Sequence, residues 1–176
     1  MVRPGRAAAA LAAALLAAGL APGCGYRIAG LGGELPGGVR RVEVPIFQNH
    51  TVRPDLSRIL TEEFIGDLIA AGKVEIAHGE AADAVVRGTA VSYKRDPITF
   101  DEAGKALENR ITLVMDVSLE RRSDKRTLFA ERNVTIRYDY PSRGNLQEDD
   151  RLEEEAVRKA AEQMSQKLVS LMLEGF

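Results

Sequence analysis

Apolar and polar positions alternate along several stretches of the chain, and each stretch predicts a strand. In the clearest one, residues 110–120, every second residue from Ile111 to Leu119 is apolar and most residues between them are polar. This period of two is typical of a strand with one buried face. The segment 128–138 repeats the pattern, interrupted at Arg132, after a polar turn, so the two segments predict an antiparallel hairpin. Other predicted segments are the strands 41–47, 74–76 and 84–93, and a long polar loop over 94–107.

The predicted strand 41–47 contains a proline. Val42, Val44 and Ile46 alternate with more polar neighbours, among them Pro45. Because proline has no N–H to donate to a neighbouring strand, we expect this strand at the edge of the sheet or with a bulge.

Two further segments carry apolar residues at intervals of three and four, which predicts amphipathic helices. The first covers 54–71, and the second covers 146–173. Asn145 followed by Glu148 resembles a capping box at the start of the second helix. Helices with one apolar stripe cover one face of a sheet. The fold class we predict is therefore α+β: a two-layer sandwich of a small, mostly antiparallel or mixed β-sheet with two helices packed on one face.

The beginning of the chain has the pattern of a bacterial export signal. Arg3 and Arg6 give it a positive start, and residues 7–21 form an apolar run that is too short to span a bilayer. The run leads to Cys24, the only cysteine, in the order Leu-Ala-Pro-Gly-Cys, which resembles a lipobox. We expect a lipoprotein signal peptide over 1–23, lipidation at Cys24, a glycine-rich tether over 24–38 and one α+β domain over 39–176. The alternative is an ordinary cleaved signal followed by an incidental cysteine.

Composition and motifs argue against several classes of function. The formal net charge is −2 and aromatic residues make up 5% of the chain, whereas nucleic-acid binding usually needs a basic face. His50 and His78 have no second residue at the spacing of a metal site or a catalytic pair. We therefore expect no enzyme, no cofactor, no metal site and no nucleic-acid partner. The acidic run 153–155 is interpreted as a solvated face at the start of a helix.

Several short motifs follow one another along the chain after residue 23. They include Cys24-Gly25-Tyr26, Val44-Pro45-Ile46-Phe47-x-Asn49-x-Thr51, Tyr93-x-x-x-Pro97-Ile98-Thr99-Phe100-Asp101-x-x-Gly104 and Asn109-Arg110-Ile111-Thr112-Leu113. Their order and spacing resemble the LPS-assembly lipoprotein family (LptE-type), over essentially everything after residue 23. One departure is Asn109, which stands where family members often have an aromatic residue.

This resemblance implies a function. Members are outer-membrane lipoproteins that plug a large β-barrel, assist its assembly and bind the lipopolysaccharide (LPS) that the barrel delivers to the cell surface. It therefore implies an outer-membrane, lipid-anchored, periplasm-facing protein whose partners are the barrel, LPS and the membrane. Two other functions stay open: another envelope lipoprotein that acts as an interaction or scaffold module, and a lipid-anchored enzyme.

Two groups of basic residues are candidates for contact with LPS, because guanidinium and ammonium groups suit phosphates. We expect the groups at opposite ends of the sheet, and we favour the first, although solvated loop charges are the alternative. The first group consists of Lys94, Arg95, Lys105 and Arg110, and the second of Arg121, Arg122, Lys125 and Arg126.

Overall fold

The computed structural model describes residues 35–72 and 74–174, in which two helices cover one face of a six-stranded mixed sheet. The predicted fold class is therefore confirmed. The predicted signal peptide and Cys24 lie outside the described residues. The elements are β1 (Arg41–Glu43), β2 (Gln48–Asn49), α1 (Leu56–Ala70), β3 (Glu75–Ile76), β4 (Ala84–Phe100), β5 (Ala106–Arg121), β6 (Thr127–Pro141) and α2 (Leu146–Glu174).

The sheet combines a parallel part with a long antiparallel meander. Its order is β3-β1-β4-β5-β6, and β2 pairs with β4 beyond the end of β1. Strands β1, β2 and β3 run parallel to their neighbours, whereas β4, β5 and β6 form two antiparallel hairpins. The described part of the chain begins at Leu35, which is buried, so the folded part includes the last residues of the predicted tether.

Alternate residues of the meander form the core beneath the helices. On β5 the buried residues are those predicted from the alternation, namely Ile111, Leu113, Met115, Val117 and Leu119. Both helices turn their apolar stripes to this side, and the Phe64 ring of α1 lies 5.4 Å from that of Phe47. The side chains between the core positions of β4, β5 and β6 form the opposite side of the meander, and neither α1 nor α2 covers it. We call this side the open face.

The prediction of a long loop over 94–107 is wrong. Strand β4 continues to Phe100 and β5 begins at Ala106, so only a short turn separates them. The pairing of β4 with β5 continues through this segment although its apolar residues no longer alternate. Contacts between the two strands take the place of burial here: Thr99 Oγ1 donates to Glu108 Oε2 over 2.9 Å. In the turn, the Asp101 carboxylate accepts the N–H groups of Ala103 and Lys105.

The prediction for strand 41–47 is wrong in its extent, and of its two alternatives the edge position is wrong. Strand β1 ends at Glu43 and lies between β3 and β4, and the chain leaves the ladder until β2 begins at Gln48. Pro45 falls in the break before β2, where no ladder hydrogen bond is required of it. The break also changes which residue faces inward, because Ile46 is 67% exposed whereas Phe47 is 3% exposed.

A bulge in β6 changes the inward face of that strand as well. Arg132 and Asn133 fall in a register shift opposite β5, and Asn133 has a φ of 56°. Its N–H donates to the Asp116 carboxylate over 2.8 Å. As a result Phe129 and Val134, five positions apart, are both buried.

The start of α2 is capped at two levels. As predicted, Asn145 Oδ1 accepts N–H groups of the first turn, from Gln147 at 3.1 Å and Glu148 at 3.4 Å. A carboxylate also caps this helix start, and it belongs to Asp149, not to Glu148. It accepts the N–H groups of Arg143 and Gly144, and these hydrogen bonds lower the pKa of Asp149.

Candidate functional site

The register of the β4–β5 hairpin separates the four favoured basic residues. Lys94 lies opposite Thr112 and therefore on the open face, whereas Arg95 lies opposite buried Ile111 on the helix side. Arg110 is on the open face and Lys105 is in the turn. These four residues do not surround a loop, and they do not converge on one point.

Arg95 belongs to a cluster of hydrogen-bonded side chains beneath α2. Its Nη1 donates to Glu153 Oε2 over 2.5 Å, while Glu153 Oε1 accepts from Arg53 Nη1 at 3.0 Å and from the Tyr93 hydroxyl at 2.8 Å. The Arg53 guanidinium also lies over the Tyr93 ring, 5.8 Å from its centroid. One carboxylate therefore joins β4, α2 and the segment before α1. We call Arg53, Tyr93, Arg95 and Glu153 the Glu153 cluster.

The interpretation of the acidic run 153–155 as a solvated face is wrong for its first member. The Glu153 side chain is 15% exposed, whereas that of Glu155 is 63% exposed. Burial and the hydrogen bond to Glu153 raise the pKa of Tyr93 well above its ordinary value, and burial raises that of Tyr140. Sequence reasoning missed this cluster because it depends on which side of α2 meets the sheet.

Arg110 is occupied by a carboxylate on the open face. Its Nε and Nη2 donate to the two carboxylate oxygens of Asp139 over 2.7 and 2.8 Å, a bidentate pair across β5 and β6. The hydrogen bond to Arg110 is the main cause that lowers the pKa of Asp139. A ligand phosphate would have to displace Asp139 to reach this guanidinium.

Lys105 lies where the turn meets the start of α2. Its side chain packs against Gly144, leaving no room there for a Cβ atom, and its charge helps to lower the pKa of Asp149. Three large apolar side chains at this end of the molecule are exposed: Phe100 by 54%, Leu107 by 44% and Leu146 by 77%. We call residues 99–107 with residues 142–146 the hairpin tip.

The second group of basic residues lies at the other end of the sheet, as predicted. There Arg121 pairs with Asp124, Arg122 with Glu43 and Lys125 with Glu120. Arg121 and Arg122 border a cavity of about 360 Å³ that is also lined by acidic Glu80 and Asp83. Most of the positive charge at this end is therefore balanced within the protein.

The described residues contain no group of three His, Cys, Asp or Glu side chains placed to hold a metal ion. His50 and His78 are both exposed. Within the same ranges, neither helix combines the length and the apolar character needed to cross a membrane.

Solved structures similar to this chain share its fold at low sequence identity. Protein XCC0632 from Xanthomonas campestris matches with a TM-score of 0.58 and 17% identity, over 80% of this chain and 87% of that one. The rare lipoprotein B from Shewanella oneidensis matches with a TM-score of 0.50 and 16% identity, over 77% of this chain and 92% of that one. The PelC dodecamer from Paraburkholderia phytofirmans matches with a TM-score of 0.51 and 17% identity, over 81% of this chain and 96% of that one.

The search of curated proteins found no match for this chain. The scan against family models did find one, for lipopolysaccharide assembly, and it covers residues 39–172. That range includes all the helices and strands described above, apart from the last two residues of α2. The chain belongs to the lipopolysaccharide-assembly family LptE.

Proposed function

We propose that this chain is an outer-membrane lipoprotein that plugs the β-barrel translocon delivering LPS to the cell surface, assists its assembly, and binds LPS. The observation that carries the proposal is the family match over residues 39–172. The lumen of a large barrel is polar, and the domain offers it a largely polar surface: most of the paired residues on the open face carry charged or hydroxyl side chains, with Val114 among the exceptions.

The hairpin tip supports the binding of LPS, which is both anionic and lipidic. Lys105 lies in the turn between exposed Phe100 and exposed Leu107, and its side chain packs against Gly144, two residues before exposed Leu146. Cationic and apolar groups side by side suit a phosphorylated glycolipid, since the first meets phosphate and the second covers acyl chains.

The candidate LPS contacts are therefore not equivalent. Within the described residues, Lys94 and Lys105 have no carboxylate at salt-bridge distance. Arg95 and Arg110 would have to exchange Glu153 and Asp139 for a ligand phosphate. Among the four, we propose Lys94 and Lys105 as the direct contacts.

The anchor that we propose is lipid on Cys24, which follows the signal peptide 1–23. Leu35, the first core residue that the structure describes, lies eleven positions after Cys24, and a chain of that length spans at most about 36–40 Å. The domain is thereby held close to the periplasmic surface of the outer membrane.

The decisive experiment is purification of the native lipoprotein from membranes in mild detergent, followed by mass spectrometry of what accompanies it. We expect a large outer-membrane β-barrel in comparable amount, and LPS in the same fraction. A different envelope protein in that place, with no barrel, would contradict the plug function and favour a scaffold role for the same fold.

A further inference from the structure

Two cations on the open face stand in one cross-strand row. Lys94 of β4 lies opposite Thr112 of β5, and Thr112 lies opposite Arg137 of β6. The register places all three on the same side of the sheet, because directly paired residues share a face. Both Lys94 and Arg137 are exposed.

These two cations lack protein partners, unlike their neighbours. In the part of the chain that the structure describes, no carboxylate lies at salt-bridge distance from Lys94 or Arg137. Arg95 and Arg110, one and two positions from this row along their strands, are both paired with carboxylates. The row therefore keeps two positive charges that the fold does not use.

The spacing of the row fits one tetrahedral anion. Adjacent strands lie about 4.8 Å apart, so the Cα atoms of Lys94 and Arg137 are separated by about 10 Å. Both side chains are long enough to reach inward over Thr112, the residue that the register places between them. A lysine contributes a point charge and an arginine a two-pronged donor, and both arrangements are common around phosphate.

The neighbouring rows leave this position positive. On one side lie Ser92, Val114 and Thr135, which carry no charge. On the other side Arg110 neutralises Asp139, and Asp96 contributes one negative charge. Against the two free cations, that single carboxylate leaves a net positive charge around Thr112.

We infer that Lys94, Thr112 and Arg137 form an anion-binding site for a phosphate group, which in this protein is a phosphate of LPS. The identity of the ligand rests on the proposed function, whereas the site rests on the register and the unpaired charges. The site lies on the open face, and so it is distinct from the exposed apolar side chains of the hairpin tip. Arg137 was not among the residues predicted from the sequence, because only the pairing of β6 with β5 brings it into line with Lys94.

The test compares the purified mature lipoprotein with three variants, Lys94→Gln, Arg137→Gln and Thr112→Val, in binding to LPS at two salt concentrations. Arg87→Gln is the matched control, since Arg87 is an exposed arginine of the same face, three rows away, and no carboxylate of residues 35–72 or 74–174 is paired with it. We expect Lys94→Gln and Arg137→Gln each to weaken binding by roughly threefold to tenfold, most clearly at low salt, and Arg87→Gln to bind as wild type. Equal melting temperatures establish that the variants are folded.

Two ligand preparations identify the anionic group. Lipid A carries phosphates without acidic sugars, and enzymatically dephosphorylated LPS carries acidic sugars without phosphates. A phosphate site predicts that Arg137→Gln weakens binding of lipid A and leaves binding of dephosphorylated LPS unchanged. The inference is overturned if Arg137→Gln and Arg87→Gln behave alike, if only the dephosphorylated ligand responds, or if wild type binds neither preparation. Copurification of the barrel with Arg137→Gln would show that the plug function stands even when this site fails.

Discussion

The carboxylate of Glu153 accepts hydrogen bonds from three side chains that come from different parts of the fold. Arg53 precedes α1, and Tyr93 and Arg95 belong to β4. Two of the donors are cations, so the buried carboxylate is matched by more than one positive charge. A run of three glutamates gives no sign of this, because all three suit the first turns of a helix equally well. Only the packing of α2 on the sheet selects Glu153.

Replacement of Glu153 by alanine is expected to destabilise the protein by about 1–3 kcal/mol, because the partly buried Tyr93 hydroxyl and Arg95 lose their acceptor. The partly buried Arg53 keeps Asp55 as its one remaining carboxylate partner among the described residues. Urea unfolding measures the change. Glu155→Ala is the control on the same helix: Glu155 is exposed and pairs only with Arg151, so a loss of about 0.5 kcal/mol or less is expected. Equal losses in the two variants would show that the Glu153 cluster does not stabilise the fold.

Tyr93 makes the contribution of the Glu153 cluster to the free energy of unfolding depend on pH in the alkaline range. Burial and Glu153 raise the pKa of Tyr93, so the folded protein keeps this proton at a pH where the unfolded chain, with an ordinary tyrosine pKa of about 10, has begun to lose it. The contribution to stability is complete below about pH 10 and declines as the pH rises further. We expect Tyr93→Phe to reduce the fall in unfolding free energy between pH 8 and pH 11. An identical fall in both proteins would contradict this role.

At the scale of whole elements, the sequence predicts those whose pattern comes from burial. The helices begin and end within two residues of their predicted bounds, and the inward residues of β5 are all correct. The errors fall where an interaction other than burial determines the local structure. Residues 94–100 form a strand because they pair with β5, not because they cover a core, and their sequence shows charges instead of alternation. Breaks and bulges also shift the inward face, as at Phe47 and at Asn133.

The packing of Phe47, in the segment before α1, on β4 depends on a glycine. A Cβ atom at Gly88 would lie 2.7 Å from the Phe47 ring, whereas one at Gly66, on α1, would meet no atom within 4 Å. Gly88→Ala is therefore expected to cost about 1–3 kcal/mol through overpacking. Gly66→Ala, the matched control, should gain about 0.5–1 kcal/mol as a helix interior residue. Unfolding of both variants in urea gives the comparison.

Adding Phe47→Leu to Gly88→Ala should restore part of the loss, because the smaller side chain makes room for the methyl group. If Gly88→Ala were as stable as wild type, the close packing of Phe47 on β4 would be wrong.

On the scale of the whole molecule, the long hairpins give the domain two distinct ends. Strand β4 runs for 17 residues, about 55 Å when fully extended, from the region where the chain enters the fold to the hairpin tip. The turn between β5 and β6 lies at the entry end, beside Gly37. These relations could be anticipated from the order of strands, since alternate turns of a meander fall at opposite ends. The alignment of Lys94 with Arg137 across the sheet could not be anticipated from the sequence, because it depends on the register of three strands.

The proposed anchor connects this geometry to the membrane. With lipid on Cys24 and 11 residues up to Leu35, the entry end is held near the bilayer, while the hairpin tip can lie farther away than the tether could reach. We expect Cys24→Ser to abolish incorporation of labelled fatty acid and to leave unprocessed precursor or release the protein from membranes, because stable attachment needs acyl chains. Its folded domain should unfold at the wild-type urea concentration, since no core residue is changed. A variant with unchanged mass and unchanged membrane fractionation would contradict the lipid anchor, while leaving the fold and the family intact.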